Sequence, residues 1–362
     1  MNAPAHPLWL VAAGCGDPNG VPESARLAMA AAERVVVLPG APPALALWAR
    51  PECVRAGAGE DEGREGQAAV WIAPAPPDRG RARALPGLEV ARADCPPMED
   101  APLREATVVL TRPWPDLQLT ASAYAARGAR VVPWPLSTIV PPPDPAALAQ
   151  AASRCAAGAY DAVGVTSARA AAAWCEAVLG ASAEATRRPF LAAVGEATAA
   201  ALLMGGLTPD LVTEGGGSAL GEALGERAKG GRVLLVAAAA GRTEAEDAAR
   251  AAGAQVDVVA AYGMADPPWR QRFDPWVSEA LQGPDPRCVY VTWFSPRAVE
   301  RGLRALGSAL ARATWVVVGE TTAQAARRLA SPAGGIEVAE RASEAAVREA
   351  IVRLHRTRRR RP

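Results

Sequence analysis

The amino-acid sequence predicts an α/β fold in which two similar parallel-sheet lobes, one inserted in the other, are joined by a two-strand hinge. A small N-terminal α/β segment precedes them. Three observations lead to this prediction: an internal duplication, an alternation of short β-branched runs with alanine-rich helical stretches, and two proline-rich segments. With 362 residues, the chain is long enough for two or three domains that each bury a core of their own.

The duplication is a series of landmarks that recur in the same order, each about 125 residues after its first occurrence. Each landmark is a strand-like run or a turn that borders a helical stretch. The pairs are 108–111 with 233–236, Gly128 with Gly253, Ser167 with Ser295, Gly195 with Gly319, and Ser218 with Ser343. One order kept over five landmarks indicates duplication rather than chance.

Within each copy, short β-branched runs alternate with helical stretches, which is typical of βαβ units and a parallel sheet covered by helices. Proline-rich segments at 133–145 and 267–268 interrupt this pattern, and proline fits neither a helix interior nor a central strand. We therefore predict that the chain crosses between the lobes there. The predicted lobes are 105–138 plus 270–356 for the first and 143–262 for the second.

Residues 1–100 lie outside the duplication and have a weaker pattern. The predicted elements are a strand at 8–11, a glycine turn at 14–18, a helix at about 23–33 and a strand at 34–38. Proline, glycine and charged residues then dominate with little periodicity, so no further element is predicted. We expect a small segment separate from the two lobes.

Composition argues against several partners. The formal net charge is +1, which gives the chain no overall attraction to nucleic acid. The six cysteines are scattered without a CxxC pair and indicate reduced thiols of a cytoplasmic protein. No apolar stretch reaches the roughly 18 residues of a membrane span, and no signal-peptide pattern is present. The arginine run 358–361 fits a solvated tail better than a nucleic-acid hook.

The scarcity of titratable side chains excludes several catalytic designs from the lobes. His6 and His355 are the only histidines and lie near the termini, outside the predicted core, which excludes a Ser-His-Asp triad and histidine metal sites. No GxxxxGK[ST] motif occurs, and Lys229, the single lysine, stands beside glycines in a predicted loop. We infer a reaction that needs little from strong acids or bases.

Hydroxyl side chains are concentrated in turns between predicted strands and helices. In an open parallel sheet such turns lie at the carboxyl ends of the strands, where ligands bind and helix N-termini favour anions. The set consists of Thr166, Ser167, Thr198, Ser295, Thr321 and Thr322. For any single member, an ordinary N-cap worth ~1 kcal/mol is the simpler interpretation. For the duplicated set, facing one cleft, we favour binding of a polyanion.

Arginines and one tyrosine complete the candidate site. Paired guanidinium contacts suit carboxylates, although each arginine alone is typical of a solvated surface. Tyr262 follows the predicted strand 256–261 at the edge of the second crossing, where a phenol can donate a proton or a hydrogen bond to a leaving oxygen. Packing of the hinge is an equally good interpretation of this tyrosine. The arginines are Arg112, Arg169, Arg242 and Arg297.

In order and spacing, these motifs resemble the uroporphyrinogen-III synthase family over residues 105–356. The matching motifs are Thr-Arg-Pro at 111–113, Gly-Ala-x-Val at 128–131, Thr-Ser-Ala-x-Ala at 166–170, Val-Gly-x-x-Thr-Ala at 194–199, the hinge tyrosine at 262, Phe-Ser-Pro at 294–296 and Gly-x-Thr-Thr-Ala at 319–323. The sequence departs from the family at Arg169, where Asn is frequent. It departs again before Gly241, where alanine replaces a common arginine.

The resemblance implies a cofactor-free, metal-free lyase that acts as a monomer on hydroxymethylbilane, a linear tetrapyrrole with eight carboxylates. Such an enzyme expels the terminal hydroxyl as water, inverts ring D and closes the ring to uroporphyrinogen III in heme, siroheme and cobalamin biosynthesis. It also implies that Tyr262 assists departure of the hydroxyl, and that the hydroxyl turns with Arg112, Gly241 and Arg242 bind substrate carboxylates. Because the pyrroles supply the electron push, the protein mainly folds and holds the substrate.

Two further interpretations stay open at this point, a binding protein without turnover and, on the glycine turn at 14–18 alone, an active methyltransferase. A two-lobed protein that binds an anionic ligand or a tetrapyrrole without turnover would have the same duplication. Residues 11–18 resemble the opening of the tetrapyrrole methylase family, which binds S-adenosylmethionine. Only about the first 50 residues match, so we interpret 1–100 as a degenerate methylase-like segment without methyl transfer.

Overall fold

The computed structural model of the chain describes residues 8–12, 16–57, 69–73, 88–92, 101–181, 188–241, 243–283 and 285–359. The chain forms two compact units, Met1–Thr138 with Asp266–Pro362 and Ile139–Ala265, so the second is inserted in the first. Both units are α/β and contain parallel sheets, which confirms the predicted fold class. None of the helices in the described ranges has the length and apolar composition that a membrane crossing requires.

The N-terminal part of the first unit is a five-stranded parallel sheet in the order β3-β2-β4-β1-β5. Its elements are β1 (Leu8–Ala12), α1 (Glu23–Ala31), β2 (Arg34–Val37), β3 (Val54–Ala56), β4 (Ala69–Ala73) and β5 (Leu88–Arg92), with 3-10 helices at Pro18–Gly20, Pro43–Trp48 and Pro51–Cys53. The prediction of β1, α1 and β2 is confirmed. The structure adds β3 to β5 where the sequence pattern assigned no element, because these strands are too short to produce a periodic pattern.

The remainder of the chain carries the duplication. Its elements are β6 (Thr107–Leu110), α2 (Trp114–Ala125), β7 (Arg130–Pro133), β8 (Thr138–Val140), α3 (Pro145–Ala156), β9 (Ala162–Val165), α4 (Ala168–Leu179), β10 (Phe190–Val194), α5 (Gly195–Met204), β11 (Leu211–Thr213), α6 (Gly216–Arg227), β12 (Arg232–Ala238), α7 (Glu244–Ala251), β13 (Gln255–Ala265), α8 (Asp274–Leu281), β14 (Val289–Trp293), α9 (Pro296–Leu306), β15 (Thr314–Val317), α10 (Glu320–Leu329), β16 (Ile336–Val338) and α11 (Glu344–Arg359). Further 3-10 helices lie at Arg270–Phe273, Pro286–Cys288 and Gly307–Arg312.

The two sheets of the duplicated region have the same strand order. The inserted unit has β11-β10-β9-β12-β13-β8, and the first unit has β16-β15-β14-β6-β7. The strand register also repeats, because Thr107 pairs with Arg130 in one copy and Arg232 pairs with Gln255 in the other. Both members of the second pair follow their counterparts by 125 residues. The chain passes between the units within β8 and after β13, which are neighbours in the sheet.

The first unit has an aromatic core, and the N-terminal segment shares it. Trp134, Trp293 and Trp315 are fully buried, with ring centroids 6.3 Å apart for the first two and 5.1 Å for the last two. The 3-10 helix Pro43–Trp48 packs against α2 and β7, and its Leu45 belongs to the same hydrophobic cluster. Burial of apolar surface therefore ties residues 43–48 to the duplicated region.

Two predictions about the C-terminal segment were wrong. His355 is fully buried in α11, with its Nδ1 3.2 Å from the Tyr290 hydroxyl and its Nε2 2.8 Å from the Arg104 carbonyl oxygen. Arg358 is not part of a solvated tail, because it donates to the Thr314 hydroxyl at 2.6 Å. Residues 360–362 lie outside the described residues.

Candidate functional site

Two of the predicted residues meet at the carboxyl edge of the sheet in the inserted unit. Strands β9 and β13 flank β12, and Ser167 follows β9. The backbone N–H and the hydroxyl of Thr166 both donate to the Val236 carbonyl oxygen, at 3.1 and 3.2 Å. On the other side of β12, the N–H of Ala239 donates to the Tyr262 carbonyl oxygen at 2.7 Å. Ser167 and Tyr262 therefore lie on opposite sides of the end of β12.

The side chains of these two residues form a hydroxyl pair. The Oγ of Ser167 lies 3.3 Å from the Oη of Tyr262, and either oxygen can be the donor. Ser167 is also the N-cap of α4, since its Oγ accepts the Ala170 N–H at 3.2 Å. The sequence identified both residues but not their pairing, which the strand order could have indicated.

A guanidinium group lies over the ring of Tyr262. The Cζ of Arg169 is 5.7 Å from the ring centroid, within the range of a cation–π contact. Tyr262 thus stands between a hydroxyl and a positive charge. A phenol in this position can donate a hydrogen bond to a departing oxygen, and the nearby cation favours negative charge that develops there.

The predicted strand end at Ala261 was wrong, because β13 runs on through Tyr262 to Ala265. The register with β12 shifts between Ala237 and Ala238, so that Ala238 pairs with Tyr262. Strand β8 pairs with β13 on the side opposite β12.

The corresponding turn in the first unit repeats the serine cap. Ser295 has the same backbone angles as Ser167, with φ −162° and ψ 156°, and its Oγ accepts the Ala298 N–H at 3.2 Å. The N-cap interpretation is therefore correct for both serines. Arg112 lies near this turn, with its Cζ 5.1 Å from the Phe294 ring centroid and its Nη2 3.3 Å from Asp116 Oδ2.

The threonines of the other two turns were predicted to precede their helices, but they lie inside them. Thr198 belongs to α5 and Thr322 to α10, and they are only 3% and 2% exposed. The side chain of Thr321 is exposed. No side chain caps α5 or α10, so these threonines are not N-caps. The N-cap residue of neither helix therefore offers a side-chain acceptor to the first backbone N–H groups, although in α10 the Thr322 N–H already donates to the Gly319 carbonyl oxygen at 3.1 Å.

The remaining predicted residues are less informative. Gly241 is exposed in the turn after β12, where Ala240 adopts a positive φ of 51°. Arg297 is exposed in the first turn of α9. Arg242 lies outside the described residues.

Two surface pockets of the described residues lie away from the predicted site. One, of about 410 Å³, is lined by residues that include Arg127 and Arg353; the other, of about 390 Å³, includes Asp161 and Phe190. Neither contains a predicted site residue, so they are not assigned to the chemistry. Within the described ranges, no group of three or more His, Cys, Asp or Glu side chains is arranged to hold a metal ion.

Comparison with known proteins identifies one family. A family model described as uroporphyrinogen-III synthase HemD matches residues 118–346. A mutant uroporphyrinogen III synthase from Thermus thermophilus is similar to the chain at 19% identity and a TM-score of 0.49, covering 70% of this chain and 99% of that one. A uroporphyrinogen-III synthetase from Helicobacter pylori has 15% identity and a TM-score of 0.44, with 69% and 99% covered. No curated protein matches significantly.

Proposed function

Since the chain belongs to the uroporphyrinogen-III synthase family, we propose that Tyr262, held by Ser167, helps the terminal hydroxyl of the linear substrate to depart. The chain is a cyclising lyase of tetrapyrrole biosynthesis: it converts hydroxymethylbilane to uroporphyrinogen III with inversion of ring D and loss of water. Binding of an anionic ligand without turnover is not favoured by the family match.

One observation supports this role of Tyr262 more than any other, namely the hydroxyl pair at the end of β12. The hydrogen bond between the hydroxyls of Ser167 and Tyr262 orients the phenol, and the Arg169 guanidinium favours a partial negative charge on the leaving oxygen. Because the substrate's pyrroles supply the electron push, one oriented donor is sufficient for the first step. The remainder of the rate enhancement comes from folding the substrate into the geometry of ring closure.

We also propose that the helix N-termini bind the carboxylates of the substrate. Support comes from α5 and α10, whose first N–H groups have no side-chain cap, and from Arg112 beside the Ser295 turn. Thr198 and Thr322 are buried inside these helices. They therefore support the proposed binding through the placement of the helices and not through a hydroxyl contact with the substrate. Thr166, Gly241, Arg242 and Thr321 stay predictions of the same kind.

The family's reaction gives a direct test, because hydroxymethylbilane closes spontaneously to the type I isomer. The purified chain is expected to convert it to the type III isomer, measured by separating the oxidised porphyrins. Replacement of Tyr262 by Phe is expected to lower the rate by ~10²-fold while leaving substrate affinity nearly unchanged. Type I product alone would contradict the activity, and a wild-type rate in Tyr262→Phe would contradict the role of the tyrosine.

We further propose that the chain acts as a cytoplasmic monomer on a small-molecule substrate, without nucleic acid. The formal charge of +1 and the scattered cysteines support this proposal. The lobe boundaries 105–138 plus 270–356 and 143–262, and the methylase-like origin of residues 1–100, are proposals that rest on the sequence pattern.

A further inference from the structure

Three side chains of one face of the N-terminal sheet carry hydrogen-bond donors. In the register of β2, Val36 stands opposite Arg55 of β3 on one side and opposite Trp71 of β4 on the other. Residues opposite each other in register share a face of the sheet, and so do residues two apart on one strand. Arg34, two residues before Val36, therefore lies on the same face as Arg55 and Trp71.

A third guanidinium group, that of Arg272, approaches this face. Arg272 lies in the 3-10 helix Arg270–Phe273, which packs against β3. Burial, and next the charge of Arg272, lower the pKa of Arg55; the charge of Arg34 acts in the same direction. The Nη1 of Arg55 donates to the carbonyl oxygens of Glu52 and Val54, at 2.6 and 2.8 Å. Arg272 and Arg34 thus both lie close enough to Arg55 for their charges to act on it.

Several of these donors have no acceptor. The Nε of Arg34, the Nη1 of Arg272 and the Nε1 of Trp71 are buried and have no hydrogen-bond partner among the described residues. Trp71 as a whole is only 8% exposed. In the part of the chain that the structure describes, no ion pair joins Arg34, Arg55 or Arg272 to a carboxylate. Buried donors without acceptors and like charges in proximity both destabilise a fold unless a ligand of opposite charge compensates them.

We propose that the donor cluster formed by Arg34, Arg55, Trp71 and Arg272 binds a small oxyanion bearing phosphate or carboxylate groups. Guanidinium groups match both geometrically, because their parallel N–H bonds meet two oxygens of one group. The indole N–H adds a neutral donor to the same face. The donors offer nothing to a cation. None of the four residues belongs to the set proposed for the cyclisation, and three of them precede the matched residues 118–346.

The test uses the purified full-length chain with two probes, inorganic phosphate and tricarballylate, at constant ionic strength in chloride buffer. We expect at least one probe to raise the melting temperature in a saturable manner. Arg34→Gln and Arg272→Gln are each expected to weaken its affinity by about tenfold or more, measured by calorimetry. The matched control is Arg327→Gln, an exposed arginine paired with Glu320 at 2.7 Å, which should leave the affinity unchanged.

A second expectation compares the stability of the variants with and without the probe. In probe-free buffer, Arg34→Gln should melt at a higher temperature than the wild type, because one of three like charges is removed. At a probe concentration that saturates the wild type, the variant should melt at a lower temperature than the wild type. Trp71→Phe keeps the ring but removes one donor, and it should also weaken binding. Retained conversion of hydroxymethylbilane shows that each variant is folded.

The result separates the two sources of the oxyanion. A response to phosphate alone assigns a phosphate ligand, and a response to tricarballylate alone assigns a carboxylate. The proposal is overturned if neither probe raises the melting temperature more than chloride does. It is also overturned if Arg34→Gln, Arg272→Gln and Trp71→Phe all bind as tightly as the wild type.

Discussion

Replacement of Ser167 by Ala separates the helix-capping role of this residue from its proposed role in positioning Tyr262. Its Oγ accepts the Ala170 N–H at 3.2 Å and also lies 3.3 Å from the Tyr262 hydroxyl. Ser343 offers a matched control, because its Oγ accepts the Ala346 N–H at the same 3.2 Å. Loss of either cap should cost about 1 kcal/mol of folding free energy, a decrease of about 2–4 °C in melting temperature.

The activities of the two variants should differ although their stabilities agree. A side-chain hydrogen bond contributes a net ~0.5–1.5 kcal/mol, which corresponds to roughly 2- to 13-fold in kcat/KM if it orients the phenol in the transition state. Ser167→Ala should therefore lose activity by a factor in this range. Ser343→Ala should retain wild-type activity, measured as formation of the type III isomer at a temperature where both variants are folded.

A double variant shows whether Ser167 acts through Tyr262. If it does, Ser167→Ala combined with Tyr262→Phe should be no slower than Tyr262→Phe alone, because the phenol oxygen that the serine positions is already absent. Multiplication of the two losses would refute this reasoning and indicate that the serine contacts the substrate directly. An equal activity loss in Ser343→Ala would also refute it.

Three stability predictions concern residues away from the hydroxyl pair. Burial raises the pKa of Asp257, but the hydrogen bond from Tyr160 and nearby arginines outweigh it and lower the pKa overall. Asp257→Asn should thus be less stable than the wild type at pH 7, and urea unfolding should show this difference begin to shrink as the pH falls below about 4 and vanish below the lowered pKa of the folded state. Gly302→Ala should destabilise by about 1–3 kcal/mol in urea, because its Cβ would lie 2.5 Å from the Trp293 ring. His355→Leu should cost about 1–3 kcal/mol for each hydrogen-bond partner left buried and unpaired, whereas unchanged thermal unfolding would contradict the burial of this histidine.

The duplication could be predicted because short-range features that the fold requires, such as a turn glycine or an N-cap serine, recur along the sequence. Gly128 and Gly253 both adopt positive φ, at 87° and 94°, after the helix that precedes the paired strand. Glycine takes this conformation without steric cost, so both copies keep it. Ser167 and Ser295 are equally local, since a helix that starts in a turn gains from a side-chain acceptor there. The constant spacing of these residues along the sequence therefore indicated that the two sheets share one strand register.

The elements that the sequence did not indicate depend on contacts between distant residues. Strand β4 has only the residues 69–73 and follows a stretch rich in glycine and charge, so no periodicity marks it. Thr198 is buried because its face of α5 packs inward. The sequence does not mark that face, because the helix is apolar nearly all round. For His355 a signal did exist, because it continues the four-residue spacing of Val347 and Ile351 on the buried face of α11.

The duplication bears on the proposed role of Tyr262, because the two units differ at one residue of the hydroxyl pair. Both keep the serine cap, which the helix start requires whatever the reaction. The position 125 residues before Tyr262 is Ser137, a buried residue that carries no phenol. The hydroxyl pair of serine and tyrosine thus belongs to the inserted unit, beside its own Arg169. A feature shared by both units is explained by folding, whereas one that only a single unit has needs another explanation, and the proposed role of Tyr262 in the departure of the substrate's hydroxyl offers one.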